Sequence, residues 1–312
     1  KARFGQLGFL VRHTFTLVGR NRALLGPLVA MWIYSAVMVS LFFAGIVLAV
    51  YESGNSTWFL LGGAVLFVYK FFFYNRAELT LSRLAYGTAT GKTPTRREAR
   101  REIASLKSQV RTLGLLDMAA VWVASRKNKE GGLMAMLLGG IVEVWDLVNH
   151  FLLPVFAIDK LSFREGGERL RSLKNHVPET LAGVFGIDII AGVVRSILGP
   201  LYLIAIILGI ILGLAFGGVM PAAFSAGRLG DLFGSIPEAL PFNEQTLFNW
   251  LPLFVLVLLT FIGNAILARL VTAIKVIYFT LFYTRIAHAD ALTSDIRDEL
   301  DGYLNLGDGD AS

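Results

Sequence analysis

Apolar stretches long enough to cross a lipid bilayer alternate with basic segments along the chain. Four of these stretches lie at about residues 24–50, 58–74, 187–219 and 250–270. A helix that crosses the hydrocarbon layer needs about 20 mostly apolar residues. The pattern therefore predicts an all-α, polytopic membrane protein with four transmembrane helices.

Basic residues are shared unevenly among the connecting segments. Residues 77–130 are rich in arginine and lysine, whereas 51–57 carries one glutamate and no basic residue, and 218–249 carries one arginine against three acids. Positively charged loops stay on the cytoplasmic side of a membrane. Both termini are therefore predicted to be cytoplasmic, with 218–249 as an external loop.

A fifth apolar stretch, residues 131–159, does not fit this alternation, because basic residues flank it on both sides. Two glycine pairs, Pro154 and charged residues in its middle favour a re-entrant or interfacial helical element that enters and leaves on the cytoplasmic side. The alternative is one ordinary crossing, which gives five spans and places one terminus outside.

The same pattern divides the rest of the chain into segments. They are an interfacial amphipathic helix (1–23), a transmembrane hairpin (24–76), basic cytoplasmic helices (77–130), a cytoplasmic amphipathic helix (160–186), a transmembrane pair (187–285) and an acidic cytoplasmic tail (286–312).

Composition agrees with a membrane location: 55% of the residues are hydrophobic and 17% are charged, against about 25% charged residues in a soluble domain. The net charge of +6 lies beside the membrane segments, where topology explains it, so nucleic acid is not an expected partner. The chain has no cysteine, which excludes disulfides and thiolate metal sites. The expected partners are the lipid bilayer and either further copies of the chain or another membrane protein.

Small residues recur at every fourth position of the third span, at Ala205, Gly209, Gly213 and Gly217. Such a stripe lets two helices approach closely in lipid. It predicts a helix-packing interface, either between the copies of a homo-oligomer or with another helix of the same chain.

Ionisable side chains inside apolar segments are candidate functional residues, because a charge at membrane depth is costly. Glu143, Asp146 and His150 share one helix face within residues 131–159 and are candidates for a proton relay or a cation site. The alternative is that they face water at the interface or pair with cytoplasmic arginines.

Two further polar residues join this candidate pore or relay. Arg195 is a candidate partner for Asp146 or Glu143, and Asn264 lies deep in the fourth span, where an amide is also suited to hydrogen bonding between helices. The other basic residues of the spans are Lys70, Arg269 and Lys275. They are expected either to reach the inner headgroups or to form a ring that favours anions.

Motifs of known enzymes are missing from the sequence. It contains no G-x-S-x-G, H-E-x-x-H or paired C-x-x-C motif, and its four histidines lack the spacing of metal ligands. No catalytic residue, cofactor or metal site is therefore predicted, and an enzyme is not expected.

One segment resembles an uncharacterised prokaryotic family of multi-pass membrane proteins. The resemblance covers about residues 140–190 and rests on Trp145, Pro154, Val155, Asp159, Ser172, Gly183 and Gly186. It implies a location in the prokaryotic inner membrane and helical cytoplasmic elements, and it brings no activity, substrate or site.

Two classes of function fit these features. One is an oligomeric channel or transporter-like protein for an ion or a small solute, with the small-residue stripe at an interface and residues 131–159 near the inner mouth. The other is a structural or accessory membrane protein that scaffolds a complex or organises lipid through basic interfacial helices. A membrane-embedded enzyme that acts on lipid is the third hypothesis.

Overall fold

The computed structural model describes residues 16–50, 53–127, 132–172, 192, 196, 199–217, 225–228 and 247–304. The helices are α1 (Leu25–Val50), α2 (Ser56–Ala89), α3 (Arg96–Ile103), α4 (Lys107–Lys127), α5 (Gly132–Asp159), α6 (Phe163–Ser172), α7 (Gly199–Ala215), α8 (Trp250–Ala287) and α9 (Ser294–Leu304). Two short strands, β1 (Ser225–Arg228) and β2 (Leu247–Asn249), pair antiparallel. Apart from this ribbon the described chain is helical, which confirms the predicted all-α class.

Three described helices are long and apolar enough to cross a membrane: Arg22–Ala49, α2 and α8. At about 1.5 Å per residue, the 34 residues of α2 run about 51 Å and the 38 residues of α8 about 57 Å. Both lengths exceed a hydrocarbon layer of about 30 Å. These helices coincide with the first, second and fourth predicted spans. The third, 187–219, lies partly outside the described residues, so a fourth crossing stays a prediction.

The chain forms two compact units. The first unit comprises Lys1–Tyr34, Val65–Ile190 and Ala268–Ser312, and the second comprises Ser35–Ala64 and Ala191–Leu267. Helices α1, α2 and α8 contribute residues to both units.

The core of the first unit contains two helix segments that are buried at every position, residues 149–157 of α5 and residues 275–284 of α8. A helix buried all round has protein neighbours on every side. Leucines of α2 and single residues of the shorter helices complete the core, among them Leu79, Leu84, Ile103, Leu113 and Ile296. The basic helices therefore do not stand alone in solvent, because each places apolar side chains in this core.

Residues 132–159 form one helix, α5, which continues unbroken through Pro154 to Asp159. Proline removes one backbone hydrogen bond and tends to kink a helix. Here the flanking turns are held by burial of residues 149–157. The re-entrant or interfacial placement of this segment stays a prediction. Whether this segment crosses the membrane stays a prediction.

Part of the expected acidic tail is a packed helix. Leu292, Ile296 and Leu300 recur every fourth residue, and all three are buried in the core of the first unit. Ile296 and Leu300 share one face of α9, and Leu292 lies in the extended segment just before the helix, so all three dock the end of the chain on this core. Residues 305–312 lie outside the described chain, as do residues 1–15 of the expected N-terminal helix.

The small-residue stripe packs within the second unit. A Cβ atom built on Gly209 would lie 2.7 Å from the Cα of Leu253, and one built on Gly217 would lie 2.0 Å from the carbonyl oxygen of Leu247. Gly213 faces the ring of Phe248 in the same way, at 2.6 Å. Gly209 and Gly213 of α7, and Gly217 just after its end, thus pack against β2 and the start of α8. This packing accounts for three of the four small residues without a second copy of the chain.

Candidate functional site

A cavity of about 310 Å³ lies inside the first unit, between α2, α4, α5 and α8. Its titratable lining residues are Lys70 and Glu78 of α2, Asp117 of α4, Asp146 and His150 of α5, and Arg269 of α8. The lining residues of each helix recur at spacings of three or four, so each helix turns one face toward a common centre. We call this space the charged cavity.

The five candidate relay residues are distributed as follows. Asp146 and His150 line the charged cavity. Glu143 lies on α5, but its side chain is outside the described part of the chain, and Arg195 is outside it altogether. Asn264 lies on α8 in the second unit. The structure thus places two of the five candidates at one site.

Asp117 is oriented by three neutral N–H donors. The indole N–H of Trp145 donates to its Oδ1 at 2.8 Å, the amide of Asn149 donates to the same oxygen at 3.3 Å, and the amide of Asn75 donates to Oδ2. Burial raises the pKa of Asp117, while the hydrogen bonds from Asn75 and Trp145 act in the opposite direction. No lysine or arginine of the described chain forms an ion pair with this carboxylate.

Asp146 has a different environment, because its Oδ2 accepts from the Lys275 ammonium at 3.1 Å. Arg195, the candidate partner for Asp146 or Glu143, lies outside the described residues, so that pairing stays a prediction. Lys275 was expected at the headgroups or in a ring of basic residues; it is buried, with 10% of its side chain exposed, where an ammonium needs a carboxylate partner.

His150 is held by its own helix. Its Nδ1 lies 2.7 Å from the backbone carbonyl oxygen of Asp146. Because a carbonyl oxygen only accepts, this contact assigns the proton to Nδ1 and leaves Nε2 as an acceptor. Nε2 is buried and has no partner in the described chain, and neither have the Oδ1 atoms of Asn75 and Asn149. Unpaired buried polar atoms thus cluster beside the cavity.

Two cations in the wall of the cavity form no ion pair with a carboxylate of the described residues. The ammonium of Lys70 lies 3.7 Å from the centroid of the Phe67 ring, and the guanidinium of Arg269 lies 4.4 Å from the centroid of the Tyr74 ring. An aromatic ring attracts a cation but does not neutralise its charge. Glu78 on the same wall is 6% exposed. The cavity therefore presents groups of both signs that are not consumed by direct ion pairs.

Sequence reasoning missed Glu78 and Asp117 because both lie in segments interpreted as cytoplasmic surface. Two signals pointed to them. Lys70, Tyr74 and Glu78 recur every fourth residue on one face of α2, and Asp117 interrupts an apolar run of α4. Lys70 and Arg269, expected either at the headgroups or in a ring of basic residues, both line the cavity.

A second polar cluster joins the ends of three helices. The hydroxyl of Tyr283 on α8 donates to Asp159 at the end of α5, and it accepts from Nε of Arg169 on α6 at 3.3 Å. The other oxygen of Asp159 lies 2.7 Å from Nε2 of His288. Every member has a partner, so this cluster fixes the helix ends and offers no open binding position.

Metal binding has no support within the described ranges, where no three histidine, aspartate or glutamate side chains are placed to hold an ion.

Comparisons of the chain with protein-family models, with curated proteins and with solved structures find no match.

Proposed function

We propose that the protein is a transporter-like membrane protein that binds an ion or a small charged solute in the charged cavity. The observation that carries this proposal is the combination of about 310 Å³ of space with three carboxyl groups, a histidine and two basic side chains in its wall. A water molecule occupies about 30 Å³ in the liquid, so a partly hydrated ion or a small organic solute fits. Two of the four helices around the cavity are long and apolar enough to cross a membrane.

Stability alone gives no reason for this lining. Replacing a buried ion pair by apolar residues of similar volume is often neutral or stabilising. Titratable groups gathered in a cavity are therefore more typical of a binding or transport site than of a structural core. Charged side chains inside apolar helices are likewise more typical of a binding or transport site than of a structural core.

The lining assigns a role to each group. Asp117, oriented by neutral donors, is the acceptor for a cation or an ammonium group. Lys70 and Arg269 face an anionic group, and Nε2 of His150 is the position that takes up a proton. A solute with both an ammonium and an acidic group satisfies the two signs of charge at once. All lining residues come from one chain, so the proposal does not require an oligomer.

The test uses the full chain reconstituted in liposomes. Uptake of Na⁺, of protons with a trapped pH-sensitive dye, and of radiolabelled glycine as a zwitterionic probe is measured for the parent protein and two variants. Asp117→Asn removes the charge, and Ala120→Phe fills the cavity while leaving every charged group in place. Their controls are Asp298→Asn and Ala119→Phe, which make the same changes at exposed positions.

Uptake of one probe that is lost in both cavity variants and retained in both controls supports the proposal. Uptake that survives both Asp117→Asn and Ala120→Phe refutes the cavity as the site. A folded parent protein that moves none of the probes favours the accessory or scaffolding role instead.

A further inference from the structure

A second cavity of the first unit, of about 140 Å³, gathers three guanidinium groups. They belong to Arg76 of α2 and to Arg96 and Arg100 of α3. No aspartate or glutamate lines this space, and none of the three arginines forms an ion pair with a described residue. We call it the arginine pocket.

The nearby acids are turned to other partners. Glu98 accepts from the backbone N–H of Thr95 at 2.7 Å, in a capping box that begins α3. Glu102 pairs with Arg83 at 2.9 Å and with Lys160 at 3.2 Å. The acids of α3 thus hold the helix in place, and no acid of the described chain supplies a counterion to the pocket.

Like charges converge in the pocket at an energetic cost. Burial lowers the pKa of Arg100, and the neighbouring Arg96 and Arg76 lower it further. Such repulsion is relieved when an anion binds between the guanidinium groups.

Arg96 gives a second, geometric observation. Its side chain lies against Gly26 in the first turn of α1, where an added Cβ would lie 2.6 Å from Cδ and 3.1 Å from Nε. The Nε atom is buried and has no hydrogen-bond partner in the described chain. A donor is thus held in a fixed position and left unused.

The remaining wall of the pocket comes from two helices that are long and apolar enough to cross a membrane. Pro27 lies in the first turn of α1, while Tyr69 and Phe73 lie near the end of the apolar run of α2, which Arg76 follows closely. The pocket therefore lies where both helices pass from apolar to polar sequence. Aromatic and basic side chains at this position meet the lipid headgroups.

We propose that Arg76, Arg96 and Arg100 bind a phosphate group, supplied by the headgroup of an anionic phospholipid. Guanidinium groups match phosphate oxygens with paired hydrogen bonds, which a lysine ammonium does not reproduce. The apolar wall of Pro27, Tyr69 and Phe73 suits the glycerol and acyl part of the lipid. This site is separate from the charged cavity and does not depend on the transport proposal.

The experiment measures the thermal unfolding midpoint of the purified full chain in neutral detergent as a probe is added. The probes are phosphatidylglycerol, phosphatidylcholine and inorganic phosphate, at constant ionic strength. Arg100→Gln and Arg76→Gln remove one guanidinium each, and Arg97→Gln is the matched control, because Arg97 is exposed on the same helix and lies outside the pocket.

We expect phosphatidylglycerol to raise the midpoint of the parent protein and of Arg97→Gln, with an apparent affinity that falls roughly tenfold or more in Arg100→Gln and Arg76→Gln. Gly26→Ala preserves every charge but occupies the space of the Arg96 side chain, so it is expected to lower the affinity for phosphatidylglycerol as well. Arg100→Lys is expected to rescue the affinity only in part, because the ammonium lacks the paired geometry.

The outcomes separate the sources of the phosphate. Protection by phosphatidylglycerol and not by inorganic phosphate supports the headgroup, whereas protection by inorganic phosphate at similar concentration supports the phosphate site and assigns it to a soluble ligand. The proposal is overturned if neither probe protects the parent protein, or if Arg97→Gln loses as much affinity as Arg100→Gln. Equal loss would mean a diffuse electrostatic attraction to the basic surface.

Discussion

Replacing Gly213 by alanine is expected to destabilise the second unit. The new methyl group would lie 2.6 Å from two carbon atoms of the Phe248 ring and 2.7 Å from the carbonyl oxygen of Asn249. The ring has little room to move, because Phe248 is buried and packs edge-on against Trp250 with centroids 4.8 Å apart. The carbonyl belongs to β2, so α7 and β2 must separate to relieve the contact.

Two opposing contributions set the magnitude. Forcing an extra methyl group into a filled space costs about 1–3 kcal/mol. Replacing glycine by alanine inside a helix gains about 0.5–1 kcal/mol. The free energy of unfolding of Gly213→Ala is therefore expected to fall by about 1 kcal/mol, within a range of about 0–2.5 kcal/mol. Gly263→Ala is the matched control, since nothing lies within 4 Å of its Cβ position. Only the stabilisation from replacing glycine by alanine in a helix is expected there.

The assay is denaturant unfolding of the purified chain in detergent, followed by tryptophan fluorescence, with the mass of the particle measured by light scattering. Trp250 lies beside Phe248 and reports on this region. Equal stability of Gly213→Ala and Gly263→Ala would refute the packing of α7 on β2. A change in particle mass with unchanged unfolding would instead mean that the stripe is a contact between copies of the chain.

Two further changes test the packing of the first unit. Asn21→Ala is expected to lower the free energy of unfolding by about 2 kcal/mol, because the buried Asn21 side chain accepts one backbone N–H at 3.0 Å and donates to two oxygens at 3.2 Å. Denaturant unfolding measures this loss, and the exposed Asn55→Ala is the control that should not show it. The neighbouring Thr293 hydroxyl and the Arg20 guanidinium lower the pKa of Asp295 from 3.8 to about 2. This carboxylate therefore stabilises the fold above about pH 4, and the contribution is lost as the pH falls toward 2. The unfolding midpoints of the parent protein and Asp295→Asn should therefore differ at pH 5 and converge at pH 2.

The long apolar helices could be predicted because each span is an uninterrupted run of mostly apolar residues in the sequence. Helix α2 shows the limit of this reasoning, since it continues past its apolar run to Ala89 and carries Glu78 into a buried wall. Pairing across the chain was harder still. Asp146 meets Lys275, 129 residues later, and no local pattern specifies that contact. The environment of Asp117 likewise depends on distant parts of the chain, because its hydrogen-bond donors lie on α2 and α5.

Glycine and proline in residues 131–159 favoured a re-entrant or interfacial element, because both residues weaken an isolated helix. The structure shows one continuous helix, α5, in which tertiary burial of residues 149–157 outweighs that local preference. Asp146 and His150 were singled out because a charge in an apolar segment is costly, and both line the charged cavity.

The complete burial of residues 149–157 has a consequence for the order in which the protein matures. Apart from Asn149 and His150, which line the charged cavity, this segment offers no side suited to lipid or to water. Its neighbours include residues 275–284, which the ribosome adds more than a hundred residues later. Phe151, for example, packs against Phe279 with ring centroids 4.8 Å apart. During synthesis α5 must therefore wait in a provisional arrangement until α8 emerges. A nascent chain that stops before α8 leaves these aromatic surfaces uncovered, where chaperones and proteases recognise them.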